Sequence, residues 1–368
     1  MIAADPHFPS SYAQGRERFL AAAAARGAHI EHFVHPMRGA DGEALAADVA
    51  ALGPPQAAAV LLLHCGTHGV EGFCGSGLQH ALLSEGREID DALAAGARVV
   101  LLHAINPWGF SWRRRVTEDN VDLNRNFRDF GAPPEPDPDY DEIHALVLPE
   151  TWPWTDANAA AIAEFIARRG AAHWQYALSH GQRTHADGVF HAGNAATWSN
   201  RTMHEVLRRY VRGAAALWWI DVHTGLGPTG HGEMIYGGRD DPADVARTRA
   251  CWGEHVTSIF DGSSTSSRVE GQVGLAAYAA CPGTALAAIG LEFGTRPLPQ
   301  MLEALRFDHW VAARAPGNPD LRARAREAMM HTFFVDTPQW KAAVLAQGRD
   351  AFARAAAAAA REAAGLRR

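Results

Sequence analysis

Four short and almost uninterrupted apolar runs set the rhythm of the chain: Ala57 to Leu63, Val99 to His103, Ala215 to Val222 and Ala285 to Leu291. Runs this short and continuous, bounded by turn residues, predict strands buried on both faces, because a half-exposed strand would alternate apolar with polar. Helical spacing of apolar positions appears between them, over Tyr12 to Arg26, Ser76 to Glu85, Asp156 to Arg169, Asn200 to Arg212, Pro242 to Phe260 and Asp320 to Phe333. Ser76 and Asn200 stand where an N-cap is expected. Buried strands alternating with helices predict an α/β fold, with a mixed or mainly parallel sheet covered on both faces. The stretch from Phe130 to Pro153, where Pro133, Pro134, Pro136 and Pro138 interleave with acidic residues, predicts a long loop at the rim of a site. A C-terminal segment at about 338–365, rich in alanine toward its end, predicts a helix. Composition does not shift sharply anywhere, so a single domain over 1–368 is expected.

Charge and composition narrow the classes of function. A formal net charge of -7 argues against a polyanionic partner, so nucleic acid is not expected. The segment Met1 to His7 has neither a basic nor an apolar leader region, and no apolar run approaches the roughly 18 residues of a membrane helix. A cytoplasmic protein with no membrane partner is therefore expected. Cys65, Cys74, Cys251 and Cys281 lack Cys-x-x-Cys spacing, which predicts free, packed thiols.

Chemistry enters at the ends of the apolar runs. His68-Gly69-Val70-Glu71 follows the first run and places two metal-type ligands beyond a strand's C-terminal end. A chain with 19 histidines yields about one His-x-x-Glu by chance, but the crowding of Gly66, Gly69, Gly72, Gly75 and Gly77 marks a backbone that turns sharply or is closely approached. The third run leads into Asp221-Val222-His223-Thr224-Gly225 and supplies another imidazole. Two nitrogens and one carboxylate form a zinc-type ligand set with an open fourth position. The fourth run delivers Glu292, a carboxylate left over to act as a base, and a metal with a spare carboxylate points to hydrolysis.

Asn106-Pro107-Trp108-Gly109-Phe110, the triplet Arg113-Arg114-Arg115, and Asn120 to Phe127 add the next motifs. With His-x-x-Glu, Trp198-Ser199-Asn200, Asp221 to Gly227 and Leu291 to Thr295, they resemble the M14 zinc carboxypeptidase family, and within it the bacterial DUF2817 branch. The resemblance implies a three-layer α/β/α sandwich around a mixed, mainly parallel sheet. It implies one zinc per chain held by His68, Glu71 and His223, with Glu292 as catalytic base; strand ends and ligand chemistry had already singled out those four. It further implies an arginine that polarises the scissile carbonyl, for which Arg115 aligns best and Arg113 or Arg114 are the alternatives. Asn124 and Arg125 match the pair that holds a substrate carboxylate, a bidentate geometry that lysine does not reproduce. The tyrosine that closes over substrate falls at Tyr278 or, failing that, Tyr236.

Three look-alikes are set aside. Gly225 to Gly230 satisfies Gly-x-Gly-x-x-Gly after a strand, but Pro228 and the glycines beyond it leave no helix to receive a pyrophosphate. His29, His32 and His35 are spaced so that they leave one face of a strand, and are expected as surface or partly buried residues, not ligands. No Gly-x-Ser-x-Gly elbow supports a serine hydrolase, and neither Cys65 nor Cys74 has an evident base. The expected activity is zinc-dependent cleavage of an amide next to a free carboxylate, as a metallocarboxypeptidase acting on a peptide. Deacylation of an N-acyl amino acid is the second reading, and a non-catalytic zinc- or peptide-binding module the third. Gly181-Gln182-Arg183, Gly188 and Gly193 also resemble the branch, at a cleft wall.

Overall fold

The computed structural model describes residues 6–131 and 133–365. Among the described residues, eight strands form one sheet: β1 (His29–Arg38), β2 (Ala44–Leu52), β3 (Ala59–Cys65), β4 (Arg98–His103), β5 (Ala216–Gly225), β6 (Gly232–Tyr236), β7 (Thr257–Ser258) and β8 (Ala285–Gly294). Their order is β1-β2-β4-β3-β5-β8-β6-β7. The central four, β4, β3, β5 and β8, run parallel, while β1 pairs antiparallel with β2, β2 with β4 and β6 with β8, and the short β7 runs parallel to β6. Alternation along β5 sends Trp218 and Ile220 into one core and Leu217 and Trp219 into the other, so helices cover both faces and the layers are α/β/α. A third cluster, built from Tyr140, Phe165, Trp174, Met301, Leu305 and Phe333, closes over the strand ends.

The four apolar runs become β3, β4, β5 and β8, the parallel centre of the sheet. Helix starts shift for identifiable reasons. The helix expected from Ser76 begins at Gly72, because its glycines permit close packing rather than a loop. A Cβ on Gly75 would lie 2.3 Å from that of Cys65, and one on Gly77 2.3 Å from the Phe8 ring. Ser76 is inside that helix, its hydroxyl 2.9 Å from His103 Nε2. Thr197, not Asn200, caps Trp198–Tyr210 by accepting the Asn200 N–H at 3.1 Å. The helix from Pro242 stops at Trp252, where Gly253 takes a φ of 107°, and the chain continues into β7.

The stretch 130–153 requires a correction, because it contains the helix Pro138–Val147. Asp137 caps it by accepting the Tyr140 N–H at 3.0 Å, and Pro138 occupies the first turn, where its missing N–H leaves no bond unmade. Tyr140, Ile143 and Val147 then bury one face. A final helix spans Pro338–Gly365. His29 and His32 are exposed on β1, but His35 is buried against Trp198 and lies 3.3 Å from Glu118. No disulfide joins the cysteines, and among the described residues no helix is long and apolar enough to cross a membrane.

Candidate active site

β3 ends at Cys65, and Gly66, at a φ of 72°, turns the chain in a conformation that suits glycine. The next turn lies against the segment before Val116: Gly69 and Val70 donate their N–H groups to the Arg115 and Arg114 carbonyls at 3.0 and 2.9 Å. Side chains are excluded at Gly69, where a Cβ would lie 2.0 Å from the Gly109 backbone. This packing orients His68 and Glu71 toward β5. There His223 stands in register with Glu292 on the adjacent strand β8, so the two side chains emerge from one face of the sheet.

His68 Nδ1 lies 2.9 Å from Glu71 Oε1, His223 Nδ1 lies 3.1 Å from Glu71 Oε2, and the two Nδ1 atoms are 3.2 Å apart. Ligands bound at 2.0–2.1 Å around a tetrahedral ion are separated by roughly 3.3 Å, so the spacing fits one metal of the zinc type. The far ring nitrogens support this reading. His68 Nε2 faces Asp122 Oδ1 at 3.2 Å, and His223 Nε2 faces Asp221 Oδ2 at 2.5 Å. A proton on each Nε2 leaves both Nδ1 lone pairs pointing at the Glu71 carboxylate, an arrangement that calls for a cation in their midst.

Asp221 and Asp122 are the functional candidates that ligand-type reasoning overlooked. Asp221 precedes His223 by two residues on a strand and therefore shares its face, a signal present in the sequence. Trp219 Nε1, which only donates, binds His64 Nδ1 at 2.8 Å, leaving the His64 proton on Nε2. That nitrogen is 2.8 Å from Thr67 Oγ1 and 3.1 Å from Asp221, and Thr67 donates to Asp221 at 2.9 Å. Burial pushes His64 down to about 4, so it serves as a neutral donor. Burial would raise Asp221, but the charge of His223 and the hydrogen bonds from His223 and Thr67 hold it below the usual carboxylate range. Burial would lower His223, yet Asp221 and Glu71 hold it well above the ordinary imidazole value. Glu71 is kept low against the same desolvation by His68, His223 and Arg115.

Glu292 behaves oppositely. Desolvation, followed by the charge of Glu71, pushes it up to about 7, although it accepts the Leu226 N–H at 2.9 Å. A carboxylate poised near neutrality beside a ligand cluster can take a proton and give it back.

The three consecutive arginines diverge because Arg113 adopts a left-handed φ of 56° where the helix Pro107–Trp112 ends. Arg113 lies over the Phe73 ring, and Arg114 pairs with Asp308 at 2.9 Å. Arg115 alone turns to the cluster, donating to Glu71 Oε1 at 2.9 Å and Asp122 Oδ2 at 3.2 Å. Arg125 is buried, donating through Nε to the Ser179 carbonyl at 2.8 Å and through Nη1 to the Asn124 carbonyl at 3.0 Å. No carboxylate among the described residues forms an ion pair with it, and burial lowers its guanidinium to about 10. The Asn124 side-chain carbonyl accepts the Val273 N–H at 2.9 Å. Both Arg115 and Arg125 flank the ring of Phe190, at 5.3 and 5.4 Å from its centroid.

His68, Arg115, Asn124, Arg125, His223 and Glu292 all line one cavity of about 190 Å³. Tyr278, expected to contact substrate, is not among the residues lining this cavity. Its hydroxyl donates to Asp244 at 2.9 Å and its ring lies under Arg239, a packing role set by that carboxylate. Tyr236 contributes to the wall, with its hydroxyl donated to the Arg239 carbonyl at 2.8 Å. The Gly225 to Gly230 look-alike is followed by strand β6 and not by a helix.

Residues 8–347 match the model of a family described as a protein of unknown function, DUF2817. The chain belongs to that family. No curated protein matches it in sequence. Among solved structures, it is similar to carboxypeptidase A from Helicoverpa armigera at 14% identity and a TM-score of 0.46, with 86% of this chain and 73% of the other covered. A metallo-carboxypeptidase from Pseudomonas aeruginosa aligns at 15% identity and a TM-score of 0.41, over 93% and 71% of the two chains. The murein-tripeptide amidase from Escherichia coli O157 aligns at 16% identity and a TM-score of 0.36, over 85% and 96%.

Proposed function

We propose that this DUF2817 protein is a zinc-dependent hydrolase that cleaves an amide bond next to a free carboxylate, most simply as a metallocarboxypeptidase. The observation that carries the reading is a buried Arg125 with no ion-paired carboxylate among the described residues, lining the same cavity as His68, His223 and Glu292. A buried guanidinium that is paired with no carboxylate, and that only the charge of the nearby Asp122 offsets, is costly in the free protein and suited to an anionic ligand.

His68, Glu71 and His223 would hold the ion. A zinc ion bound there would supply the Lewis acidity that makes water a competent nucleophile near neutral pH. Glu292 takes the proton of the attacking water and passes it to the departing amine. Arg115, whose Nε and Nη1 are engaged by Asp122 and Glu71, keeps Nη2 for the developing oxyanion. Arg125 and Asn124 hold the substrate carboxylate, which fixes the scissile bond relative to Glu292.

The apolar wall of Trp174, Leu178, Met301, Leu302, Leu305 and Phe333 favours a second reading, deacylation of an N-acyl amino acid with an apolar acyl group. Assaying a peptide library against a panel of N-acyl amino acids, with products identified by mass spectrometry, separates the two. Both readings require the carboxylate. Amidating it should sharply reduce kcat/KM for any accepted substrate, and Arg125→Lys should not restore full binding. Equal kcat/KM for free-acid and amidated substrates would remove the carboxylate clamp and leave an endopeptidase or esterase as the better reading.

A further inference from the structure

Away from the cavity, the helix Pro138–Val147 meets the segment that follows Ala171–Ser179, and two histidines stack across the junction. The rings of His144 and His185 lie 3.8 Å apart at 19°. Asp187 approaches the same spot, with Oδ1 3.5 Å from His144 Nε2, and Asp141 Oδ1 is 2.8 Å from His185 Nε2. One donor atom from each of His144, His185 and Asp187 lies within 4.8 Å of the others. We propose that His144, His185 and Asp187 form a second binding site for a divalent transition ion such as zinc, separate from the His68, Glu71 and His223 cluster.

The chemistry of the junction favours a cation shared by the rings over a proton on each. Two protonated imidazoles stacked 3.8 Å apart would repel, whereas one shared cation lets both rings face it as neutral donors. His144 Nδ1 is buried and has no hydrogen-bond partner among the described residues. The other groups facing the spot are the Asp141 carboxylate, the Thr184 hydroxyl that donates to it at 2.9 Å, the Tyr140 ring, and Arg314, 3.3 Å from Asp187 Oδ2. Two carboxylates therefore face one guanidinium, and imidazole with carboxylate is a ligand set that suits zinc.

Affinity should be lower than at the central cluster. The side chains are 16% exposed at His144, 30% at His185 and 36% at Asp187, and Arg314 competes for the carboxylate. The donors must also close by about an ångström from their present spread to reach a tetrahedral zinc geometry. An ion here would tie the helix to a segment that continues through Gly188, whose carbonyl is held by Asn120, to Phe190. Phe190 adopts a left-handed φ of 55°, uncommon for an aromatic residue, and its ring is the one flanked by Arg115 and Arg125. The second site thus braces the segment behind the two candidate substrate-facing arginines.

The test is a zinc titration of the stripped wild-type chain against a competing chromophoric chelator, which needs no substrate and no turnover. Two classes of site are expected. His185→Ala and Asp187→Asn should each remove the weaker class and leave the tighter one, whereas His223→Ala should remove the tighter and leave the weaker. Because each class is read in its own variant, failure of the central metal cluster and failure of this site are distinguishable. A single class in the wild type, or a weaker class that survives both His185→Ala and Asp187→Asn, overturns the proposal. Circular dichroism of the two surface variants should match the wild type, and retention of their tighter class reports an intact fold independently.

Discussion

Two glutamates that both feel the charge of His68 and His223 are held in opposite states by what surrounds them. Glu71 is buried among His68, His223 and Arg115, which keep it ionised as a ligand must be, whereas Glu292 is raised to about 7 by desolvation and by Glu71 itself. Glu292→Gln should therefore keep the metal and lose roughly 2 to 4 powers of ten in turnover, the usual scale of general-base catalysis. Glu71→Gln should weaken the metal itself. Equilibrium dialysis beside steady-state kinetics reads both effects, and metal loss in the first variant with retention in the second would exchange the two roles. His223 carries the complementary pH expectation. Its raised affinity for a proton in the metal-free chain means that a proton must leave before Nδ1 can ligate. Apparent zinc affinity should then fall by up to tenfold for each pH unit below that titration, with proton release on binding. Calorimetry in buffers of different ionisation enthalpy measures the release, and a buffer-independent heat would contradict it. Asp221→Asn removes the carboxylate behind His223 and should cost 10- to 100-fold in metal affinity, the range for such supporting partners.

At the scale of elements, the site is assembled where the ends of β3, β5 and β8 meet a turn that packs without side chains. Gly69→Ala would drive a Cβ into the Gly109 backbone, 2.0 Å away, and neither strand end nor helix can yield there easily. The expected cost is about 1–3 kcal/mol of overpacking strain, together with weakened metal binding, since His68 and Glu71 flank the residue. Denaturant unfolding checks this, and an unchanged midpoint with unchanged zinc affinity would show the turn to be more yielding than its packing implies. The parallel centre of the sheet was legible in the sequence because strands buried on both faces leave long apolar runs, and polar residues at their ends stand out. β2 was not legible because it is largely alanine, which has little β preference, and the polar edge strand β1 carries no clean alternation. Proline density hid Pro138–Val147, though Asp137-Pro138 is a helix start when apolar positions follow at helical spacing. Around the candidate site, ligand-type residues were visible one by one. The partners Asp122 and Asp221 were not, because a supporting carboxylate is recognised by what it faces. The bond from the Tyr278 hydroxyl to Asp244 was hidden for the same reason, since position in the chain gives no sign of that carboxylate.

For the whole molecule, a metal held by the proposed cluster between β3 and β5 would tie its binding to global stability. A ligand that binds only the folded chain stabilises it by about 4 kcal/mol at a free concentration a thousandfold above its Kd. Stripping the metal should lower Tm, and returning zinc should restore it in the wild type but much less in His223→Ala. The central claim, that His68, Glu71 and His223 hold a catalytic metal, is tested most directly by elemental analysis of the purified wild-type and His223→Ala chains, paired with hydrolysis of a free-acid substrate. About one tightly bound zinc per wild-type chain is expected, with neither that zinc nor hydrolysis in the variant. A wild-type chain that holds no transition metal tightly, and whose added zinc binds no better than in His223→Ala, would contradict the account.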